Sequence, residues 1–461
     1  MSPRFPSRSG AALRRRGALA AATGVLMFAA AGAAGCSGGD PAAPAPLPVS
    51  SCARLTTSPQ VTPPRVDPLR PVVGYDPFNT FGVTFGQALI AQIVNAMARN
   101  GMRAAGYRYI ILDDGWQGRR TAAGQITADA RRFPCGIKRL AEFVHAAGFR
   151  FGLYTTPAPR SCSGRTGSAG HVAADVRTFA NWGVDYIKLD WCNADYAPPA
   201  AAGIARQWRA AMTATGRPMI LSINAGGGSS VAPWAYRIVN SWRVGGDICG
   251  SWYNQTRPAS PTARRCYDDP RFHMGIYDYL ESAVLREAAS FAGPGHHIDP
   301  DMLEVGTAAQ AGSRRDLRTQ ALTAGEAGTN LAMWAMWSAP LIAGNDPRAM
   351  TARDPASRIL LNREIIAMDQ DPLGRPATLR YASTGWQVWQ KPLSHGRVAV
   401  AIVNLSDLPA GAPFSWAQLG AGRPPATVRN LWTHHDLPVT GGGLRVQLAA
   451  HATAVYVLTI G

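Results

Sequence analysis

Short apolar runs alternate with amphipathic stretches from about residue 70 onwards. A short run of apolar or β-branched residues predicts a strand, whereas apolar residues recurring every third or fourth position predict a helix. The stretch Ile137–Ala147 has this helical spacing and is closed by Gly148. The predicted strands are Val72–Tyr75, Tyr107–Leu112, Arg150–Thr155, Asp185–Asp190, Met219–Asn224, Ile238–Arg243 and a last one near Ala332–Trp337.

The alternation itself predicts the fold class. Strands that alternate with helices over some 300 residues are typical of a parallel α/β fold. No GxGxxG or P-loop motif follows the first strand, which disfavours a nucleotide-binding doubly wound sheet. We therefore expect a (β/α)8 TIM barrel over residues 67–374.

The pattern changes after Pro372-Leu373-Gly374, where the helical spacing ends. Residues 375–461 are expected to form a small C-terminal antiparallel β-sandwich domain, because short alternating runs are separated by turn residues. The predicted strands of this domain are Gly385–Lys391, Arg397–Leu405, Thr427–Thr433, Gly443–Leu448 and Thr453–Thr459.

The N-terminus has the pattern of a bacterial export signal. Three arginines, Arg14 to Arg16, precede an uncharged run that ends in small residues and Cys36. Residues 1–36 are interpreted as a signal peptide with a lipobox, in which Cys36 becomes the lipidated first residue. The alternatives are a plain signal peptide with an incidental cysteine and an uncleaved anchor. Residues 37–66, rich in Pro, Ala, Ser and Thr, are expected to be a flexible linker, so the protein would be a cell-surface lipoprotein or secreted.

Composition and charge narrow the function classes. An apolar fraction of 46% and a charged fraction of 16% are globular values, which exclude a disordered chain and a multi-span membrane protein. The net charge of +17 suggests nucleic acid, but it falls to +12 when the five arginines of the predicted signal are removed. The remaining positive charge is spread along the chain, so no nucleic-acid partner is expected.

Polar residues at the predicted strand ends are the candidates for chemistry, because active sites of such barrels lie there. Lys188 and Asp190 are two residues apart and share one side of a strand. A lysine beside a carboxylate is expected to lower its pKa, which suits a nucleophile. Asp247 follows two glycines and offers a second carboxylate, and paired carboxylates are the apparatus of glycoside hydrolysis. The alternative is that these are turn-forming aspartates and a structural ion pair.

Nine ordered segments over residues 70–374 resemble glycoside hydrolase family 27, the retaining α-galactosidases and α-N-acetylgalactosaminidases. The segment Gly74–Gly82 resembles the GWNSWNxFG motif of that family, and Tyr109–Gln117 resembles its LDDCWQ motif. The other segments that carry the resemblance are Phe133–Ile137, Gly152–Tyr154, Trp182–Asn193, Asn240–Ile248, Ala292–Gly295, Asp299–Leu303 and Met368–Asp371.

The resemblance implies a role for each candidate residue. Asp190 would be the nucleophile, and Asp247 would be the general acid and then the general base. The implied substrate-binding residues are Asp113 and Asp114 for the hydroxyls at C4 and C6, Lys188 and Arg243 for those near C2 and C3, Tyr154 beside the nucleophile, and Tyr75 as the aromatic wall.

Six cysteines besides Cys36 suit disulfides in an exported protein. The resemblance implies a Cys162–Cys192 disulfide beside the site. Cys249 and Cys266 would close a short loop, which leaves Cys52 with Cys135. His296-His297 with Asp299 and Asp301 imitates a metal cluster, but the family is metal-independent, so no metal or cofactor is expected.

The implied activity is that of a retaining exo-glycosidase that releases terminal α-D-galactosyl residues from oligo- or polysaccharides. The strand-five loop departs from the family, because Asn224-Ala225-Gly226 stands where relatives have Cys-Glu-Trp. This departure keeps two related activities open, isomaltodextranase-like α-glucan hydrolysis and β-L-arabinopyranosidase. A carbohydrate-binding protein that has lost catalysis is disfavoured, since both Asp190 and Asp247 are retained.

Overall fold

The computed structural model describes residue 55 and residues 61–195, 197–226, 230–253, 273–307 and 322–460. All of them belong to one compact unit, Pro46–Gly461. The predicted signal peptide, Cys36, Cys52 and Cys266 lie outside the described residues. The proposed boundaries of the signal and linker therefore stay predictions.

Eight parallel strands between Val73 and Ala343 form one sheet, in the order β8-β1-β2-β3-β4-β5-β6-β7. Their bounds are β1 Val73–Tyr75, β2 Tyr109–Leu112, β3 Arg150–Thr155, β4 Tyr186–Asp190, β5 Ile220–Asn224, β6 Ser241–Arg243, β7 His297–Asp299 and β8 Leu341–Ala343. The two end strands meet through a parallel bridge between Leu303, just after β7, and Ala343 in β8. The predicted (β/α)8 barrel is thereby confirmed.

Helices pack around these strands through one apolar face. Helix Gln87–Arg99 buries Ile90, Ile93, Val94 and Met97, which are three, one and three residues apart and so share one side of the helix. None of the helices in the described ranges is both long and apolar enough to cross a bilayer. The helices are Phe78–Phe81, Gln87–Arg99, Met102–Ala105, Gly136–Ala146, Val172–Trp182, Pro198–Ala214, Ala232–Ala235, Ile276–Glu281, Ala283–Ala289, Ala324–Met336, Pro355–Leu360 and Arg363–Asp369.

The strand predicted near Ala332–Trp337 is wrong, because this segment belongs to helix Ala324–Met336 and its C-cap. Every residue from Glu326 to Met336 is buried, so the segment has no polar face to reveal the helical period. Its N-terminus is fixed by a capping box, in which Thr323 and Glu326 each accept a backbone N–H from the other. The last two barrel strands, β7 and β8, have three residues each and were not predicted.

The C-terminal domain is a sandwich of a six-stranded and a two-stranded antiparallel sheet. Side chains from both sheets share a core, including Val400 and Ile402 from the large sheet and Phe414 and Val446 from the small one. The sandwich is thereby confirmed, and it contains three strands that the sequence analysis missed, Thr378–Ala382, Ala410–Phe414 and His435–Leu437. The strands are β9 Thr378–Ala382, β10 Trp386–Pro392, β11 Arg397–Asn404, β12 Ala410–Phe414, β13 Thr427–Asn430, β14 His435–Leu437, β15 Leu444–Leu448 and β16 Thr453–Thr459.

The large sheet of the sandwich packs against the barrel through its other side. Trp389 of β10 meets Trp337 edge to face, with ring centroids 5.6 Å apart. Gln387 Nε2 donates to Glu281 Oε1 at 2.7 Å, and Gln387 Oε1 accepts from Trp389 Nε1 at 2.8 Å. The residues Ala399, Ala401 and Val403 of β11 join the same apolar cluster as the barrel helices. The sandwich is therefore continuous with the barrel core.

We expect Trp389→Ala to lower the free energy of unfolding by about 3–5 kcal/mol, because it leaves a cavity between barrel and sandwich. Urea unfolding followed by circular dichroism and by residual activity measures the effect, and both signals should shift together. The control is Leu408→Ala, since Leu408 is 72% exposed and its loss should cost no more than about 0.5 kcal/mol. An unchanged midpoint of the activity signal would show that the barrel does not depend on this contact.

Candidate active site

A cavity of about 320 Å³ opens where the barrel strands end at their carboxyl edge. This volume is in the range of small-ligand sites, about 300–1,000 Å³. Every predicted catalytic and substrate-binding residue except Tyr75 lines it. The lining residues are Phe78, Asn79, Val83, Asp113, Asp114, Tyr154, Cys162, Ser163, Lys188, Asp190, Asn224, Arg243, Asp247, Ile248, His273, Asp301 and Met302.

Asp190 is the last residue of β4 and its carboxylate is held from two sides. The Tyr154 hydroxyl donates to Oδ2 at 3.1 Å, and the Trp191 backbone N–H donates to Oδ1 at 2.8 Å. Because β3 and β4 are neighbouring parallel strands with Tyr154 opposite Lys188, Tyr154 reaches the carboxylate from the adjacent strand end. The carboxylate therefore has one fixed orientation toward the cavity.

The electrostatics of Asp190 differ from the sequence-based expectation. Burial, followed by the charge of Asp247, raises the pKa of Asp190 to about 6. Lys188 opposes this shift but is outweighed, because its ammonium contacts Asp76 at 3.3 Å and Asp113 rather than Asp190. Lys188 therefore acts on Asp190 in the expected direction, but burial and the charge of Asp247 outweigh it, so the pKa lies above its usual value and not below it.

Asp247 has the opposite environment. It follows Gly245-Gly246 and begins a short bridge in which Asp247–Ile248 pairs with His273–Met274. Its side chain is 60% exposed, and Arg243 Nη2 donates to its Oδ1 at 2.6 Å. The cavity thus contains one enclosed carboxylate and one open to solvent.

Arg243 connects the Asp247 loop to the end of β7. Its guanidinium is almost fully buried and forms ion pairs with Asp247 and Asp301. Asp301 Oδ2 also accepts the backbone N–H of Ile248 at 2.8 Å, so the two loops are joined twice. The sequence analysis considered Asp301 only as part of a metal-like cluster and missed this positioning role. The role depends on contacts between two loops that are distant along the chain.

The strand-two carboxylates differ in how they are satisfied. Asp113 Oδ1 accepts the Asp114 backbone N–H at 2.6 Å, while its Oδ2 accepts from Lys188. Asp114 Oδ2 accepts the Ser163 backbone N–H at 2.8 Å, whereas its buried Oδ1 has no hydrogen-bond partner among the described residues. Burial raises the pKa of Asp114. Asp114 therefore lines the cavity and has one buried carboxylate oxygen without a hydrogen-bond partner among the described residues.

Tyr75 does not reach the cavity, which corrects its prediction as the aromatic wall. Its side chain is fully buried and lies outside the cavity lining. Successive strand residues point to opposite sides. Asp76 points into the barrel toward Lys188, whereas Tyr75 is enclosed by protein. The aromatic ring that lines the cavity at this corner is Phe78, from the same resembling segment.

The predicted disulfide Cys162–Cys192 is present, with the Cα atoms 5.1 Å apart. It joins the loop after β3 to the loop after β4, and Cys162 Sγ lies 3.2 Å from Asp190 Oδ2. Because both sulfurs are in the disulfide, neither can act as a thiolate ligand to a metal. Cys135 and Cys249 are also disulfide-bonded, but their predicted partners Cys52 and Cys266 lie outside the described residues.

The metal-like cluster of the sequence does not assemble. His296, His297, Asp299 and Asp301 do not bring their ligand atoms together in the part of the chain that is described. Burial lowers the pKa of His297 to about 3. Asp301 is instead used by Arg243.

Comparison with known proteins agrees with this geometry. Residues 80–371 match the family described as "Alpha galactosidase A", and residues 383–458 match the "Alpha galactosidase C-terminal beta sandwich domain". The chain is similar to α-galactosidase A of Cellvibrio japonicus, with 37% identity over 349 residues that cover 75% of this chain and 79% of the relative. It is also similar to the α-galactosidase of Cyamopsis tetragonoloba, with 33% identity over 398 residues that cover 84% and 86% of the two chains.

A solved structure extends the similarity to three dimensions. The crystal structure of α-galactosidase I from Mortierella vinacea matches with a TM-score of 0.75 and 26% identity, covering 85% of this chain and 98% of that one. The matched ranges therefore cover both domains of the chain. The chain belongs to the α-galactosidase A family, glycoside hydrolase family 27.

Proposed function

We propose that the protein is a retaining exo-α-galactosidase that removes terminal α-D-galactosyl residues from oligo- or polysaccharides. The observation that carries this proposal is the pair of carboxylates in one cavity with opposite environments. Asp190 is enclosed and held by Tyr154 and Trp191, whereas Asp247 is 60% exposed beside Arg243. Two carboxylates in different environments take different roles in glycoside hydrolysis.

In the first step, Asp190 attacks the anomeric carbon and forms the glycosyl–enzyme ester. The glycosidic C–O bond breaks, and Asp247 gives its proton to the departing oxygen. In the second step, Asp247 takes a proton from water, whose oxygen attacks the anomeric carbon and releases Asp190. The fixed orientation of the Asp190 carboxylate favours in-line attack, while the exposure of Asp247 lets it exchange its proton with solvent.

Selectivity for galactose follows from Asp113 and Asp114. The unpartnered Asp114 Oδ1 would accept a sugar hydroxyl, and a hydroxyl of the opposite configuration at C4 would leave it buried and unsatisfied. Lys188 keeps Asp113 ionised and in place. Phe78 would supply the apolar surface against which the sugar ring packs.

The second candidate is a β-L-arabinopyranosidase. Asn224 lines the cavity at the altered strand-five loop, and arabinopyranose shares the C4 configuration that Asp114 would recognise. Measuring the hydrolysis of galactosides and of arabinopyranosides under the same conditions distinguishes between the two activities.

We further propose that the protein is exported and anchored through a lipid on Cys36. The Cys162–Cys192 disulfide supports an oxidising compartment. The mass of the N-terminal tryptic peptide from membrane-extracted protein tests the modification.

Asp190→Asn should reduce kcat on 4-nitrophenyl α-galactoside by more than about 10³-fold, because the amide is not a nucleophile. Asp247→Asn should reduce it by about 10²–10⁴-fold, because the leaving group is no longer protonated. The matched control is Asp195→Asn, five residues beyond the predicted nucleophile and exposed, which should retain the parental rate. Parental turnover by Asp190→Asn would refute the mechanism, and turnover of arabinopyranosides alone would refute only the sugar.

With a 2,4-dinitrophenyl galactoside, whose leaving group needs no proton from Asp247, kcat/KM should fall below about pH 6, since this reaction requires an ionised Asp190 and its pKa is about 6. The Asp247 charge contributes to this raised value, so Asp247→Asn should move the acid limb to lower pH. A 2,4-dinitrophenyl galactoside, which leaves without a proton, allows this variant to be measured. An acid limb that stays in place in Asp247→Asn would contradict the proposed coupling of the two carboxylates.

Asp190→Asn should also be more stable than the parent at pH 7, by about 1–3 kcal/mol. The pKa of Asp190 is raised in the folded protein, so its stabilising contribution exists at low pH and is lost as pH rises through about 6. Replacing the carboxylate by a neutral amide removes this loss of stability at high pH. Urea unfolding at pH 7 and pH 4 should show the gain only at pH 7, and Asp195→Asn should show none. A gain of equal size at both values would mean that charge is not the cause.

A further inference from the structure

We propose that the end of the barrel opposite the cavity docks on a membrane surface rich in anionic phospholipid. This surface, called the basic face below, is formed by Arg65, Leu69, Arg70, Arg108, Arg150 and Leu373. The inference adds an orientation to the proposed anchored enzyme, and it is tested without the lipid on Cys36.

The basic face lies at the amino ends of the barrel strands. Arg70 comes shortly before β1, Arg108 lies directly before β2, and Arg150 begins β3. In a parallel barrel these ends share one edge, whereas Asp113, Asp190 and the rest of the cavity lie at the other. A surface that binds the basic face would therefore leave the cavity mouth directed away from it.

The face has a groove with excess positive charge. Its volume is about 160 Å³, and its lining contains Arg65, Arg70, Arg108 and Arg150 with one carboxylate, Asp67. Asp67 pairs with Arg70 at 3.4 Å, where both side chains are about half exposed. Solvent-exposed pairs of this kind are weak, so Arg70 remains available to a stronger anion.

The other guanidiniums of the groove mostly contact uncharged carbonyl oxygens. Arg108 donates to the Arg103 carbonyl, and Arg150 Nε donates to the Pro64 carbonyl at 2.5 Å. The carboxylate beside Arg150 is Asp185, which also pairs with Arg217 and His145 and is shared among them. Carbonyl contacts orient the arginines but do not neutralise their charge, so the groove attracts phosphate groups.

Two exposed apolar side chains stand beside this groove. Leu69 is 60% exposed and Leu373 is 39% exposed, and both segments pack at the turn Pro294-Gly295 that leads into β7. The Gly295 backbone N–H donates to the Leu69 carbonyl at 3.0 Å, and Gly374 packs against Pro294. Arg70 donates to the carbonyl of Gln370, three residues before Leu373. Apolar tips next to basic residues are the combination that binds an anionic membrane interface.

The chain also enters the barrel at this face. Val61 pairs with Ala147, three residues before β3, and its backbone N–H donates to the Ala146 carbonyl at 2.8 Å. The linker that follows Cys36 in the sequence therefore joins the barrel on the side of the basic face.

The test is sedimentation of the full chain carrying Cys36→Ser with sucrose-loaded vesicles. Vesicles of phosphatidylcholine with 30% phosphatidylglycerol are compared with vesicles of phosphatidylcholine alone, because only the former carry negative charge. The parent should partition at least about 10-fold more strongly onto the anionic vesicles, and 0.5 M NaCl should abolish the difference. The apolar segment near the N-terminus and the arginines before it are common to the parent and all variants, so their contribution is removed by comparing each variant with the parent on the same anionic vesicles.

The double variant Arg65→Gln with Arg70→Gln should bind the anionic vesicles about 25-fold more weakly than the parent, because each arginine contributes a factor of about 5 and the two factors multiply. Leu69→Ser should lower binding to the anionic vesicles by about 10-fold, because the apolar side chain no longer inserts into the membrane interface. The matched controls are Arg119→Gln with Arg131→Gln, which are exposed on the loop after β2, and Leu408→Ser in the sandwich. Both controls should bind like the parent.

Equal loss in the two double arginine variants would overturn the proposal, because it would show a general effect of net charge. Equal partition onto charged and neutral vesicles would overturn it as well. So would a sedimentation-velocity dimer of the parent that Leu69→Ser dissociates, since the face would then bind a second copy of the chain. Hydrolysis of a soluble galactoside is measured in parallel and should be unchanged in every variant, which keeps a failure of docking distinct from a failure of the proposed activity.

Discussion

Two cations determine which carboxylates of the cavity are neutralised and which remain available. Lys188 contacts Asp76 and Asp113, and Arg243 contacts Asp247 and Asp301. Among the described residues, Asp190 and Asp114 have no cation partner, and burial raises the pKa of both. These are the two groups that the proposed mechanism directs at the sugar, one at the anomeric carbon and one at a hydroxyl. Unpaired buried charge is costly in the free enzyme, and a bound substrate can offset part of that cost.

The rest of the fold keeps this distribution of charge rigid. Short parallel strands place each group at the same edge of the barrel, and the disulfide Cys162–Cys192 joins the loops on either side of Asp190. The sandwich supports the barrel, because its Trp389 packs on Trp337, the C-cap residue of the buried helix Ala324–Met336. Trp334 of that helix donates to the Asp301 carbonyl at 2.7 Å, so the sandwich, the helix and the Arg243 ion pair form one continuous structure.

The two ends of the barrel have opposite electrostatic character. Aspartates gather at the carboxyl ends of the strands, and arginines gather at the amino ends. The four arginines of the groove lie at the end of the barrel away from the cavity, where they do not compete with the ion pairs of Lys188 and Arg243.

The sequence by itself determined the fold class, the family resemblance and most of the site. Residues that end predicted strands, such as Asp113, Lys188 and Asp190, were placed correctly because the β period and the barrel topology constrain where strand ends point. The resembling segment likewise identified Asp247 on its glycine loop.

Only the tertiary structure decided how these residues are paired and which of them reach the cavity. Lys188 contacts Asp113 and Asp76, and burial together with the charge of Asp247 raises the pKa of Asp190 although Lys188 opposes the shift. Tyr75 is buried and does not line the cavity, whereas Phe78 does, and the segment Ala332–Trp337 belongs to a helix and its C-cap. In each case the physical reason is the same. Local pattern fixes the direction and period of a segment, whereas pairing of charges and burial on all sides depend on neighbours that are distant along the chain.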